Sequence, residues 1–568
     1  MKRVTVVNMQ ATYRILKATR MLLPMRRALP CALAALAFLA VRPRATDAQE
    51  LHPYRPGIDV LDYAFVLDLP DTGSLIRGDA TITLRRTARV DTLVLDLRKL
   101  AVQRVLLNDR TRRFARTDST ILIPLPRGDS GRFRIRVVYS GRPTDGLIVR
   151  RDSAKRWTYF GDNWPNRARF WIPSIDHPSD KATVSWTVRA PRGRTVVANG
   201  TLTRTRTIGR GRRARISTEW RESKPIAPYL MVIGAGPLTK IDLGDTACGL
   251  TDVGRCLKQS VYVFPEVKKT MPGSFARAGD IVRFFASRVA PFPYEKLAHL
   301  QSATRFGGME NATAIFYADN LFRRNTLGDG IIAHETAHQW FGDAVTERDW
   351  PHLWLSEGFA TYFAALWTQE AHGDSAFRAE MSRIRSQIIA DTTDVTTRPV
   401  VDTVTTNLLD LLNTNSYQKG GFVLHMLRSE LGDSAFFGGI RDYYTRHKHS
   451  TALTSDLLES METASGRQLD VFFDQWLRRP GYPEVEVTWS DSALTSLSVG
   501  VTQSQRFGLY EFPLRLALVA PNGDVRRVQI SVPAQEVTRV LLPVTGSVDH
   551  IDVDPDVQLL ARITVRKL

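Results

Sequence analysis

His334 and His338 stand four residues apart, with Glu335 beside the first, in the stretch HETAHQWFGDAVTERDWPHLWLSEG that ends at Gly358. On a helix, residues i and i+4 share a face, so both imidazoles can reach one metal ion. Zinc takes nitrogen and oxygen donors in a tetrahedron, and a catalytic zinc keeps one position open for water. Two histidines leave one protein ligand to find. Glu357 lies nineteen residues after His338, in a second helical segment, LWLSEGFATYFAALW, that can run back antiparallel to the first. It is the natural third ligand of one Zn2+ ion. Glu335 need not bind metal. Zinc lowers the pKa of bound water toward about 7, and an adjacent carboxylate can take its proton and pass it to a leaving amine. Glu335 is therefore the expected general base.

These helices need a frame. GIIAHETAHQWFG sets Ile331, Ile332 and its aromatics to pack around the donors. SFARAGDIVRFFASRV (Ser274–Val289) carries apolar residues at helical spacing with Ser274 as N-cap, and Pro291 follows it. Helical patterns persist to DVFFDQWLRRPGYP, where Pro480 and Pro483 stop them. On either side the period falls to two. Leu93/Leu95/Leu97, Phe133/Ile135/Val137 and Val184/Trp186/Val188 mark half-buried strands of an antiparallel sheet domain. Val485/Val487/Trp489, Leu497/Val499/Val501, Leu514/Leu516/Leu518 and Val528/Ile530/Val532 do the same near the C-terminus, with Asn522-Gly523 as a hairpin turn between the last two. A chain of 568 residues exceeds what one core serves. The expected class is multidomain α+β: an N-terminal antiparallel β domain (49–242), a mostly helical catalytic domain (243–482) and a C-terminal β-sandwich (483–568).

Residues 1–48 read as a signal peptide, with Met25 a possible start. MRRALPCALAALAFLAV (Met25–Val41) places two arginines before an apolar run, and the small residue Ala48 suits cleavage. The run is shorter than the roughly 20 residues a membrane span needs, so no stable span is expected. The protein is expected to be exported, to the periplasm or beyond. Cys248 and Cys256, in CGLTDVGRC, suit a disulfide in such an oxidising compartment. The formal charge is +19, but residues 1–48 hold nine Lys and Arg against one acid, leaving +11. Those charges are scattered along strands with no aromatic-basic platform, so no nucleic-acid partner is expected.

Several stretches resemble the zinc aminopeptidases of the aminopeptidase N type, a gluzincin group. GGMEN (Gly307–Asn311) is similar to the family's exopeptidase motif. HETAHQWFGDAVTERDWPHLWLSEGFATYF is similar to its zinc motif, YQKGGFVLHML (Tyr417–Leu427) to its tyrosine motif, and ARFWIPSIDHPSDKATV (Ala168–Val184) to a segment of its β domain. The match spans roughly residues 55 to 480 and implies a thermolysin-like catalytic domain. It implies that Gly307, Gly308, Met309, Glu310 and Asn311 line an extended peptide with a free N-terminus. Glu310 would hold the α-ammonium, a charge-assisted contact that separates aminopeptidases from endopeptidases. Tyr417 would donate to the oxyanion on the scissile carbonyl.

The sequence departs from this pattern at Trp164, where many members carry an acid or glutamine as a second amine holder; Asn163 or Asp162 could substitute. Asp343 and Ser356 stand where asparagine is usual, and the long C-terminal helical domain of larger members is not expected. Lys419 and His425 are expected to serve packing or surface roles. Two rival readings are a thermolysin-type endopeptidase, against which Glu310 argues, and a non-catalytic binding relative, against which the complete set of ligands, base and tyrosine argues.

Overall fold

The structure, a computed structural model, describes residues 54–268, 273–493 and 495–568. The expected signal peptide, 1–48, lies outside the described residues. Most of the N-terminal part is an eight-stranded sheet in which Ile58–Asp68 is central. Its buried face carries Tyr63, Phe65 and Leu67, in register with Val184, Trp186 and Val188 of Ala182–Pro191. That pair is parallel, so the sheet is mixed rather than antiparallel throughout. Hairpins join antiparallel neighbours, but a crossover as long as the one between these two strands lets the chain return in its original direction. Trp171 stacks on Trp186 at 5.6 Å and seals the core beneath them. A second sheet of four strands, including Leu147–Arg151 and Trp157–Gly161, faces the catalytic part.

The catalytic part begins with a five-stranded sheet ordered Thr239–Thr246, Leu257–Val263, Lys296–Ser302, Ala314–Ala318, Gly308–Met309. Its first strand runs across residue 242, where the sequence places a domain boundary. The three middle strands are parallel, and Gly308–Met309 pairs antiparallel at the edge. Helices follow: Asp329–Ala337, Trp354–His372, Asp374–Ala390 and Gly420–His447 are the ones that frame the site. The expected Ser274 cap is absent. That helix starts at Ala278 behind Arg277, with no side-chain cap, because Phe275 is drawn into a cluster with His299, Tyr317 and Phe322.

The C-terminal part is two sheets packed face to face, of four and three strands. Phe512–Val519 and Val525–Val532 form the hairpin, with Gly523 at φ 87° in its turn. This sandwich is tied to the helices: His425 Nε2 lies 3.0 Å from the Val557 carbonyl, and Arg385 pairs with Asp554 at 2.6 Å. Among the described residues, no helix is long and apolar enough to cross a membrane.

Cys248 and Cys256 are bonded, closing a loop between strands Thr239–Thr246 and Leu257–Val263. Closing so short a loop restricts the unfolded chain. Replacing both cysteines by serine should lower the unfolding free energy by about 2–3 kcal/mol. Chemical denaturation reads this directly, and an unchanged midpoint would show that the bridge constrains little.

Candidate active site

The helix Asp329–Ala337 carries His334 and Glu335, and His338 closes it. Glu357 sits in the first turn of Trp354–His372. The two helices bring three donor atoms to one point. His334 Nε2 and His338 Nε2 are 3.2 Å apart, and Glu357 Oε2 lies 3.2 Å from the first and 3.4 Å from the second. A tetrahedral centre with bonds of about 2.0–2.1 Å separates its ligand atoms by about 3.3–3.4 Å. The donor set therefore fits a divalent metal in both chemistry and spacing.

The surroundings orient each donor. His338 Nδ1 donates to the Phe341 carbonyl at 3.1 Å, which leaves Nε2 free to ligate. Ser356 Oγ lies 3.0 Å from the same Nδ1. Ser356 stands where the family pattern has asparagine, so its hydroxyl is a positioning contact that sequence reading passed over. Burial works against ionisation of Glu357, but His338 and His334 outweigh it and hold its carboxyl down at about 2.

Tyr417 lies in a π-helical turn, Asn415–Lys419, just before Gly420–His447. Such turns recur at functional sites. Its hydroxyl donates to Glu357 Oε1 at 2.9 Å, and its ring stacks on His334. Burial raises its pKa well above the usual phenol range, with Glu357 adding to it, so it remains a donor. Tyr417 reaches the centre because Gly358 and Gly420 meet backbone to backbone; a Cβ on Gly358 would lie 2.9 Å from the Gly420 carbonyl carbon.

Glu335 lies in the same cleft as Glu310, and its carboxylate rests against the backbone of Gly308, which has no side chain in the way. Glu310, Glu335 and His338 present ligand-type atoms within 4.8 Å of one another. Burial raises the Glu335 carboxyl well above its usual range; His338 opposes this, and Glu310 and Glu357 add to it. Burial likewise raises Glu310, to about 7, with His338 opposing and Glu357 adding.

The GGMEN segment is only partly a lining. Gly308, Met309 and Glu310 face the cleft. Gly307 and Asn311 do not. The Gly307 carbonyl accepts from Ala318 N to close the edge strand, and the Asn311 amide is fully buried behind the wall. Gln339 fixes this segment to the metal-binding helix: its Nε2 donates to the Glu310 carbonyl at 2.8 Å, and its Oε1 accepts from Thr313 N at 2.9 Å. Thr313 holds φ 64°, a rare conformation for a β-branched residue, and turns the chain back into its strand.

Neither expected substitute for a second amine holder is free. Asn163 donates to the Met231 carbonyl and accepts from Trp171 Nε1. Asp162 accepts from Arg167 and from Thr304. Trp164 itself lines the cleft, with Phe306 and Leu412. Lys419 is buried and donates to the Arg479 carbonyl, as packing requires, and His352 bonds Thr454 away from the donors.

Fold and site define a protein with a single-metal centre of two histidines and one glutamate, at the floor of a cleft that two domains share. Two family models match the chain: the peptidase family M1 domain over residues 277–476 and the peptidase M1 N-terminal domain over residues 61–230. Together they take in more than half of its length, and the chain belongs to peptidase family M1. It is 29% identical to probable aminopeptidase 1 of Sulfurisphaera tokodaii over 342 residues, which is 57% of this chain and 41% of that protein. Aminopeptidase N of Streptomyces lividans is 27% identical over 424 residues, 69% of this chain and 45% of that protein. A crystal structure of an M1 zinc metallopeptidase from Deinococcus radiodurans aligns with a TM-score of 0.65 at 25% identity, covering 74% of this chain and 93% of that one. The chain spans about half the length of the curated relatives it matches.

The glycine contact gives a test with a sign. In a free helix interior, Gly→Ala stabilises by about 1 kcal/mol. At Gly358 the added carbon meets the Gly420 backbone, which cannot swing aside, and overpacking costs about 1–3 kcal/mol. Gly358→Ala should therefore lower the melting temperature. A rise would show that the two helices can part freely.

Proposed function

We propose that this protein is a zinc-dependent aminopeptidase that removes the first residue of peptides with a free N-terminus. The observation that carries the reading is the meeting, in one cleft, of three donor atoms at tetrahedral spacing with the carboxylates of Glu335 and Glu310. Zinc held by His334, His338 and Glu357 would supply Lewis acidity, acidifying water and polarising the scissile carbonyl.

The chain's own groups do the rest. Glu310 receives the α-ammonium and sets which bond lies at the centre. Glu335 takes a proton from the attacking water and returns it to the leaving amine nitrogen, so water adds across the carbon–nitrogen bond. The Tyr417 hydroxyl donates to the carbonyl oxygen as negative charge develops there. Export is also proposed, supported by the leader-like Met25–Val41 and the bonded cysteine pair.

Five measurements test this. Activity should disappear in excess chelator and return with zinc. Glu335→Gln should keep the metal and lose about 10²–10⁴-fold in kcat, since an amide cannot accept the proton; Tyr417→Phe should lose about 10²–10³-fold. Glu310→Ala should cut kcat/KM for unblocked peptides at least about 10-fold, from the loss of a charge-assisted contact. If the wild type cleaves free and N-acetylated forms of one peptide equally well, the protein is an endopeptidase instead.

A further inference from the structure

On the aminopeptidase reading, the first residue of a bound peptide has few places to put its side chain. Its ammonium goes to Glu310, and its carbonyl faces the metal donors, Glu335 and Tyr417. The side chain leaves from the carbon between them and meets what remains of the cleft lining. That remainder is the backbone of Gly308 and the side chains of Trp164, Phe306, Met309 and Leu412, all apolar. We propose that this wall, set by Trp164, makes the enzyme select peptides whose first residue has an uncharged apolar side chain and reject those that begin with a charged one. The inference deepens the proposed function and rests on it.

The wall is rigid. Trp164 is buried and meets Phe306 and Trp350 edge to face, at 6.1 and 5.6 Å. Arg167 Nε donates to the Trp164 carbonyl at 2.7 Å, and the Arg167 guanidinium lies over the Phe306 ring at 5.8 Å. The two aromatic rings therefore cannot swing aside without breaking these contacts.

The charges behind the wall are already paired. Arg167 holds Asp162 at 3.0 Å and Asp145 at 3.3 Å, and Arg305 also pairs with Asp145. The second oxygen of Asp162 accepts from Thr304. A lysine or arginine at the first position would find Glu310 engaged by the ammonium and no other free carboxylate in the wall. A glutamate or aspartate would face tryptophan with no free guanidinium. Burying either charge unpaired is strongly unfavourable, whereas an apolar side chain gains by leaving water. A glutamine or acid at position 164 would offer such groups an acceptor oxygen; an indole ring offers only its single N–H and its π-face.

The test is a panel of aminoacyl fluorogenic substrates that differ only in the first residue: leucine, phenylalanine, lysine and glutamate. It is run on zinc-loaded wild type, Trp164→Phe and Trp164→Gln, with zinc content and circular dichroism as controls of folding. For the wild type, kcat/KM on leucine and phenylalanine should exceed that on lysine and glutamate by at least about 100-fold. Trp164→Phe keeps an apolar wall and should keep the preference. Trp164→Gln should shrink it at least about 10-fold, by gaining on charged substrates as well as losing on apolar ones. Should Trp164→Gln fail to fold, Phe306→Gln carries the same comparison. A wild type that turns over all four substrates at similar efficiency overturns this inference and leaves the aminopeptidase reading intact. So does a folded, zinc-loaded Trp164→Gln with the original preference. No turnover of any member by the zinc-loaded wild type overturns the aminopeptidase reading itself, and this inference with it.

Discussion

The site is built on a concentration of buried carboxyl groups. Glu310, Glu335, Asp343, Glu347 and Glu357 are all buried around two imidazoles. Burial raises the carboxyls of Glu310, Glu335, Asp343 and Glu347, each the more for its acidic neighbours; only Glu357, facing both histidines, is held low. Concentrating carboxyl groups away from water is costly unless a cation is held among them. Three donors at tetrahedral spacing provide that place, so the chemistry of the donors and the electrostatics of their surroundings call for the same ion. The helices cannot drift apart without losing this convergence, and that is why Gly358 and Gly420 touch and why the π-turn at Tyr417 is wedged against them.

The N-terminal domain is part of the site and not merely attached to it. Lys181 reaches across to donate to the carbonyls of Asp343 and Ala344 and to Thr346, in the segment that follows His338. Burial lowers its pKa to about 7, with Asp343 and Glu347 opposing the fall. Asn199 donates to the Ala312 carbonyl, and Gly200 N donates to Thr313 Oγ1, just beyond the GGMEN segment. The domain also supplies Trp164 to the cleft. Its contacts therefore fix both the segment behind the helix that carries the histidines and the cleft wall at Trp164.

The residues whose atoms converge in the cleft were legible because their signal is local. His334, Glu335 and His338 lie within one helical turn, and Glu357 opens the next apolar-periodic segment, so spacing alone nearly places them. The half-buried strands were legible for the same reason: a period of two needs only a few residues. What was missed depends on partners distant in sequence. The parallel pairing of Ile58–Asp68 with Ala182–Pro191 is decided by a crossover, which alternation does not encode. Ser274 has the right residue type for a cap, yet the packing of Phe275 moves the helix start past it. Asn163 and Asp162 had suitable chemistry for an amine holder, but Trp171, Met231, Arg167 and Thr304 had already claimed their polar atoms. Composition shows what a side chain could bind; only the fold shows whether it is free to.

Under the proposed function, the same geometry explains why one residue would be removed and not several. Gln339 follows the metal ligand His338 directly and bonds the backbone of Glu310. The amine anchor and the metal centre are thus set by one hydrogen-bonded unit rather than by two independent elements. Glu310, Glu335 and His338 present their atoms within 4.8 Å of one another. An extended chain advances about 3.3–3.6 Å per residue, so a peptide whose ammonium rests on Glu310 brings its first carbonyl, and not its second, to the donors. Gln339 accepts from Thr313 as well, which holds the strained turn that keeps Glu310 at this distance. The length of the removed piece is then a property of the backbone clamp, while the nature of its side chain is left to the wall around Trp164.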